Sequence, residues 1–432
     1  MTATDKSSNP STNTAADTVG EGGGTAIATG YEGTVRDQFN GYIQRVRSGE
    51  MGMLPALAGL IVLGILFSFS SQFFLTQINL ANLLTQTAAL MMLAIALTFV
   101  ILLAEIDLSA GVTAGVGMAV FILLVDRGGW NWVAAFVVAL LVGVAIGLFI
   151  GYAVAKIGIP SFVVTLGLFL GFQGVQLVLL GDGGSFRVSD PAVLAIMNSS
   201  MPVWMGWAML LIIVLISLGT GLYDRRHRQS IGMPVRPITI LFVKVGAWIV
   251  GGGILVGLLS QNRSTGTIPI EGVPIVVPIA LAIVWIGTLM LDRTRFGLHI
   301  YAVGGNPEAA RRAGINVARV RIFCFIFCST LSMVAGLFFA SQTGTVESTL
   351  GQTAVLPGVA AAVVGGVSLF GGRGRLVHPV VGALLISMIT NGLGLLGLAA
   401  GITFIVQGAV LILAASVDAL SRRRTGASLA RT

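Results

Sequence analysis

Residues 132–155 read WVAAFVVALLVGVAIGLFIGYAVA and hold no charged side chain. Coiled as a helix at about 1.5 Å per residue, such a run reaches ~36 Å, more than the roughly 30 Å of hydrocarbon in a bilayer. Gly143, Gly147 and Gly151 recur at every fourth position. They share one face, where the missing side chains let a second backbone approach closely. Gly167 and Gly171 repeat that spacing in the following apolar run. The stretch therefore specifies a membrane-spanning helix with a packing seam.

The rest of the chain extends the pattern. Apolar residues make up 55% and charged residues 10% of the sequence, with mean hydropathy +0.93, against about 25% charged in soluble domains. Long apolar runs lie at 54–75, 80–103, 108–125, 132–155, 160–180, 203–222, 238–260, 273–291, 322–341, 354–370, 378–398 and 400–420. The alternation of a membrane barrel is missing, and helices are the other way to satisfy every backbone group in lipid. The 58 glycines suit a tightly packed bundle with broken or kinked helices, as transporters have. The expected fold is an all-α polytopic membrane protein of about twelve transmembrane helices.

Charge placement orients it. With a cytoplasmic N-terminus, 21 of the 25 basic residues fall in inward-facing segments; Arg127, Arg187 and Arg263 face outward and Lys244 lies within a span. The positive-inside rule favours this arrangement over its inverse, and an even count puts both termini in the cytoplasm. The pI near 10.2 is thus a topology signal, with no need of a nucleic-acid partner. Residues 1–50 are polar and rich in Gly, Ser and Thr, and lack the apolar core of a secretory signal. They read as a disordered cytoplasmic tail with an interfacial helix near 35–48. Residues 51–421 form the transmembrane domain, and 422–432 a short basic cytoplasmic tail.

One charged stretch interrupts the apolar runs: Asn306, Pro307, Glu308, Ala309, Ala310, Arg311, Arg312, Ala313 and Gly314, followed by Ile315-Asn316-Val317. It reads as a short capped helix. Asn306 serves as N-cap, and Pro307 occupies the first helical position, where its missing N–H has no consequence. Glu308 lies near the positive end of the helix dipole, Arg311 and Arg312 near the negative end, and Gly314 closes the helix in a left-handed cap. Such a helix is not a span, and it offers a docking point between spans.

Several chemistries are excluded. The three lysines, Lys6, Lys156 and Lys244, never follow glycine, so no phosphate loop of the Gly-Lys type exists and ATP is not bound that way. Cys324 and Cys328 have no neighbouring Cys or His to complete a metal set. His227, His299 and His378 are scattered, and Gly392, Gly394 and Gly397 match a dinucleotide fingerprint only by chance, inside an apolar span. No catalytic residue and no metal or cofactor is expected.

The polar groups within the bundle are more informative. Glu105, Asp107 and Ser109 join the second and third runs with almost no loop. Carboxylates there are costly in lipid and should face a cavity, a partner or water. Two readings stand together: a helix cap, in which Asp107 and Ser109 start the third helix, and the lining or gate of a transport pathway. Residues 365–375, GGVSLFGGRGR, loosely echo the 106–111 segment and hint at an internal duplication. Gln86, Thr165, Gln173, Gln176, Asn391 and Gln407 are neutral hydrogen-bonding groups that suit a hydroxylated solute or helix–helix bonding. The outer loops, longest at 181–202, 261–272 and 342–353, contain no capture domain, so a scarce solute would need a separate capture protein.

Four ordered motifs carry a resemblance: 103–109 (LAEIDLS), 158–167 (GIPSFVVTLG), 302–316 (AVGGNPEAARRAGIN) and 365–375. Over roughly residues 50–420 the chain resembles the ribose/xylose-type sugar permeases of bacterial ABC importers. The additional apolar pair at 203–260 with its basic loop is similar to the xylose-type branch. Ala104 stands where that family often has glycine. The resemblance implies a monosaccharide, xylose above others, moved from a periplasmic sugar-binding protein into the cytoplasm across the inner membrane. It implies a homodimer of two permease copies, an ABC ATPase subunit that binds ATP, and residues 306–314 as the helix coupling the two. Glu105, Asp107, Ser109, Thr165, Gln173 and Asn391 become candidates for the pathway or its gate. An ion-coupled secondary transporter of a small hydroxylated solute, using Glu105 and Asp107 as ion sites, is the competing reading, and it has no need of the charged helix. A membrane enzyme would need a clustered His, Cys or carboxylate set.

Overall fold

The computed structural model describes residues 52–429 apart from Pro234, Arg236, Thr265 and Ile268; the expectations for residues 1–50 lie outside it. A helix occupies each of the apolar runs. In chain order these are α1 (Leu54–Ser70), α2 (Gln77–Ile101), α3 (Ala110–Asp126), α4 (Trp132–Tyr152, continued by a π-turn Ala153–Ile157), and α5 (Ser161–Leu180). The strand β1 (Ser185–Arg187) and a short helix α6 (Pro191–Asn198) precede α7 (Val203–Ser230), α8 (Ile238–Leu259) and α9 (Val276–Arg293). Next come α10 (Arg295–Gly305), α11 (Pro307–Arg312), α12 (Val317–Thr343), β2 (Thr345–Glu347), α13 (Val355–Gly365), α14 (Val377–Leu395) and α15 (Ala400–Leu429). Among the described residues nine helices are long and apolar enough to cross a membrane, while α1, α3 and α13 are apolar but shorter.

Helix boundaries follow from cap chemistry. Asn131 accepts from Val133 N–H at 2.8 Å to start α4, and Asp190 accepts from Ala192 N–H at 2.8 Å to start α6. At the far end of α12, Gly344 adopts φ +71°, a left-handed cap that any Cβ would strain. Two loops are ordered by pairing: β1 runs antiparallel to β2, with Phe186 opposite Val346. This two-stranded ribbon and an isolated bridge between Ser200 and Pro274 are the extended pairings among the described residues, and strands of three residues are too short to read from pattern. The helix α15 runs on to Leu429.

The core is built around α2, from Ala88 to Leu103 almost wholly buried. It packs against α12, α13, α14 and α9. The glycine seam of α4 faces α12. A Cβ on Gly147 would stand 2.5 Å from Ile326 Cα and 2.6 Å from Phe325 O, and one on Gly151 would stand 2.7 Å from Ile322 Cα. Gly167 and Gly171 on α5 meet nothing within 4 Å, so that spacing serves no contact within the described residues. The helices α7 and α8 pack chiefly on each other at the edge of the bundle.

Because backbone atoms, not side-chain ends, fill the space beside Gly147, Gly147→Ala is expected to destabilise by about 1–3 kcal/mol. Gly246→Ala, on the open face of α8, should leave stability unchanged or raise it by about 0.5–1 kcal/mol. Heating the detergent-solubilised variants and reading the surviving monodisperse fraction by size exclusion separates the two. Equal midpoints would refute the seam.

Candidate functional site

Residues 102–109, between α2 and α3, form an irregular break enclosed by four other parts of the chain. Ala104 takes φ +60°, the only positive φ at a non-glycine among the described residues; for an L-residue this left-handed geometry costs roughly 1–2 kcal/mol. Leu102 O accepts from Gly372 N–H at 2.9 Å. Ile106 N–H donates to Ser161 Oγ at 3.3 Å, and Thr165 Oγ1 donates to Ile106 O at 3.3 Å and to Ser161 O at 2.9 Å. The start of α5 thus holds the middle of the break.

The two carboxylates take different partners. Glu105 Oε1 is 3.1 Å from Arg321 Nη2 on α12, with both side chains mostly covered. Asp107 is 1% exposed. Its Oδ1 accepts from Ser109 N–H at 2.9 Å and Ser109 Oγ–H at 2.6 Å, while Cys328 Sγ–H on α12 reaches Oδ2 at 3.5 Å. Of the two residues expected to start α3, Asp107 receives the backbone N–H of Ser109 on its side chain, while Ser109 makes no side-chain cap. Arg321 and Cys328 were not singled out from sequence. One was an ordinary inward-facing cation and the other a small buried residue.

The helix α11 has its expected caps. Asn306 Oδ1 accepts from Ala309 N–H at 3.0 Å, Glu308 pairs with Arg311 at 3.3 Å, and Gly314 is left-handed at φ +83°. Its flanks run straight into α10 and α12. Asn316 Oδ1 caps α12 by accepting from Arg319 N–H at 3.0 Å. A recess of about 300 Å³ beside α11 is lined by Ala155, Arg311, Ile315, Asn316 and Arg321 among others.

Tyr301 on α10 donates to Gly374 O at 2.9 Å. Burial, followed by the nearby Asp292 carboxylate, pushes its hydroxyl up to about 12, so it stays a donor at physiological pH. Ser368 Oγ donates to Asp418 Oδ2 at 2.8 Å, tying the 366–376 loop to α15.

Of the predicted pathway residues, Glu105, Asp107, Ser109 and Thr165 come together at the break. Asn391 does not: it forms a reciprocal amide pair with Asn79 at 2.8 and 2.9 Å, joining the start of α2 to the end of α14. Gln173 is half-buried on α5, and Gln176 is buried on the same helix, donating to Val112 O at 3.1 Å. The break and the 366–374 loop, which share a loose sequence pattern, are in direct contact through Leu102 and Gly372.

A family model described as "Branched-chain amino acid transport system / permease component" matches residues 79–415. The chain is 32% identical to the xylose transport system permease protein of Escherichia coli (strain K12) over 389 residues, 89% of this chain and 96% of that protein. It is 32% identical to the same-named protein of Haemophilus influenzae over 88% of this chain and 99% of that protein. The ribose import permease protein of Escherichia coli (strain K12) is 31% identical over 84% of this chain and 92% of its own length. No solved structure matches the chain.

Ala104→Gly is expected to stabilise. Relief of the left-handed strain, about 1–2 kcal/mol, exceeds the roughly 0.5–1 kcal/mol that glycine forfeits in chain entropy. A higher thermal midpoint in detergent is the outcome to look for. A lower one would mean that the Ala104 methyl group contributes packing that outweighs the strain.

Proposed function

The chain belongs to the ribose/xylose-type permeases of ABC importers, and from that premise we propose that it moves a monosaccharide, xylose above ribose, into the bacterial cytoplasm. The observation that carries this reading is the near full-length match to permeases named for xylose and ribose transport, those named for xylose standing at 32% identity and those for ribose at 31%. The additional pair α7–α8 supports the xylose-type branch. The working unit is a homodimer in the inner membrane with twelve spans per copy and both termini cytoplasmic. A periplasmic sugar-binding protein delivers the sugar, and a separate ATPase subunit supplies energy.

Within that unit α11 is the coupling helix. Its charged, exposed surface suits a protein partner at the basic end of the bundle. The break at 102–109 is the gate region. It gathers Glu105, Asp107, Ser109 and Thr165 at the base of α3 and α5, where irregular backbone and paired carboxylates are enclosed by protein. Asn391 lies apart from this region, fixing the end of α14 against the start of α2.

Reconstitution with the sugar-binding protein and ATPase tests the whole proposal: xylose uptake should require ATP, and uptake driven by a proton gradient without the ATPase would overturn it. Arg311→Glu with Arg312→Glu should release the ATPase from the purified complex while membrane insertion stays normal; full retention would remove α11 from the docking role. Asp107→Ala should reduce uptake at least tenfold, roughly 1.4 kcal/mol on the barrier, at near-normal expression. Loss of the expressed protein instead would assign Asp107 a purely structural cap.

A further inference from the structure

We infer that the 102–109 break is held from both flanks of α11 and is the element that receives its motion, with Arg321 and Gly304 as the positioning residues. The inference rests on the reading of α11 as the segment that meets the ATPase.

Two independent contacts lead to the same eight residues. On the N-terminal flank, the last turn of α10 lies backbone to backbone against the break. A Cβ on Gly304 would stand 1.8 Å from Leu102 O and 2.7 Å from Gly372 N, and one on Gly371 would stand 2.8 Å from Ala104 N. Gly372 N–H closes the joint by donating to Leu102 O at 2.9 Å. Gly304 precedes the α11 N-cap, Asn306, by two residues. On the C-terminal flank, α12 begins at Val317 and reaches back through Arg321 to Glu105 at 3.1 Å and through Cys328 to Asp107 at 3.5 Å.

These contacts differ in kind, and that matters mechanically. The glycine joint has no side-chain ends to give way, so a displacement of α10 moves Leu102 and Ala104 with it. The Arg321–Glu105 pair is a single polar link on a long side chain. A rigid shift of α11 therefore presses the break at one end and pulls it at the other. Packed backbones of this sort switch between arrangements instead of deforming smoothly. The left-handed Ala104 sits at the junction of the two contacts, a strained residue of the kind that marks switch segments. From the break the motion passes directly to α3, which starts at Ala110, and through Ile106 to Ser161 and Thr165 on α5.

Transport and ATP hydrolysis measured together in proteoliposomes with the ATPase and sugar-binding protein test this. Arg321→Gln and Gly304→Ala should each lower sugar imported per ATP hydrolysed by about fivefold or more, the lower end of ordinary coupling free energies. ATPase retention on the purified complex should stay at the unsubstituted level. The reciprocal swap Glu105→Arg with Arg321→Glu should recover most of the ratio that either single change loses. An unchanged ratio in Arg321→Gln, or a swap no better than the single changes, would overturn the inference. If Gly304→Ala fails to reach the membrane, Arg321→Gln and the swap decide. Failure of the docking reading looks different: ATPase retention unaffected by Arg311→Glu with Arg312→Glu, whatever Arg321 does.

Discussion

In hydrocarbon a backbone N–H or C=O without a partner costs several kcal/mol, and this constraint governs where the chain can leave a helix. The break at 102–109 meets it group by group. Ala104 and Glu105 donate to Ile101 O and Val100 O at 2.9 and 3.2 Å. Leu102 O receives Gly372 N–H, Ile106 uses Ser161 and Thr165, and Ser109 N–H uses the Asp107 carboxylate. The partners beyond the end of α2 come from a different helix or loop or from a side chain folded back for the purpose. An interruption between α2 and α3 therefore requires α5 and the 366–374 loop to converge on it, and α10 and α12 add packing and side-chain contacts that make the break a junction.

Glycine supplies the room for this convergence. Gly304, Gly371 and Gly372 bring three backbones together beside Leu102, and Gly111 and Gly351 meet in the same way at the first turn of α3, each with a carbonyl 2.0–2.2 Å from where the other's Cβ would stand. Glycines on the rim, such as Gly167, Gly246 and Gly253, have nothing within 4 Å. The abundance of glycine is thus not one property. It divides into positions where a neighbouring atom leaves a methyl group no room and positions that face open space.

The apolar runs, the caps of α11 and the α4 seam were all legible because each depends on local spacing or on a residue and its near neighbours. Gly167 and Gly171 show the limit of that logic: their spacing matches the seam of α4, but what faces a small-residue stripe is decided by tertiary contact. The same holds at the junction. Arg321 is one of many inward cations until α12 brings it to Glu105, 216 residues away in sequence numbering, and Cys328 meets Asp107 across 221. Asn79 and Asn391, 312 apart, read singly as isolated amides in apolar surroundings. Pairings at such separations leave no period in the chain.

The helices α7 and α8 sit away from the junction. The two helices interlock through Gly252 against Leu210 and Gly221 against Leu241, and they join the bundle mainly at one end, where Leu210, Val256 and Leu259 cluster with Ala81, Met201 and Val273. Their exposed residues are large and apolar, Leu211, Ile212, Leu215, Phe242, Val243 and Ile249 among them. Discriminating one monosaccharide from another requires hydrogen-bonding groups whose loss leaves buried partners unpaired, and this surface has few to offer. Buried polar atoms without a protein partner lie instead on α2, α3 and α5, at Gln86, Thr113 and Gln176.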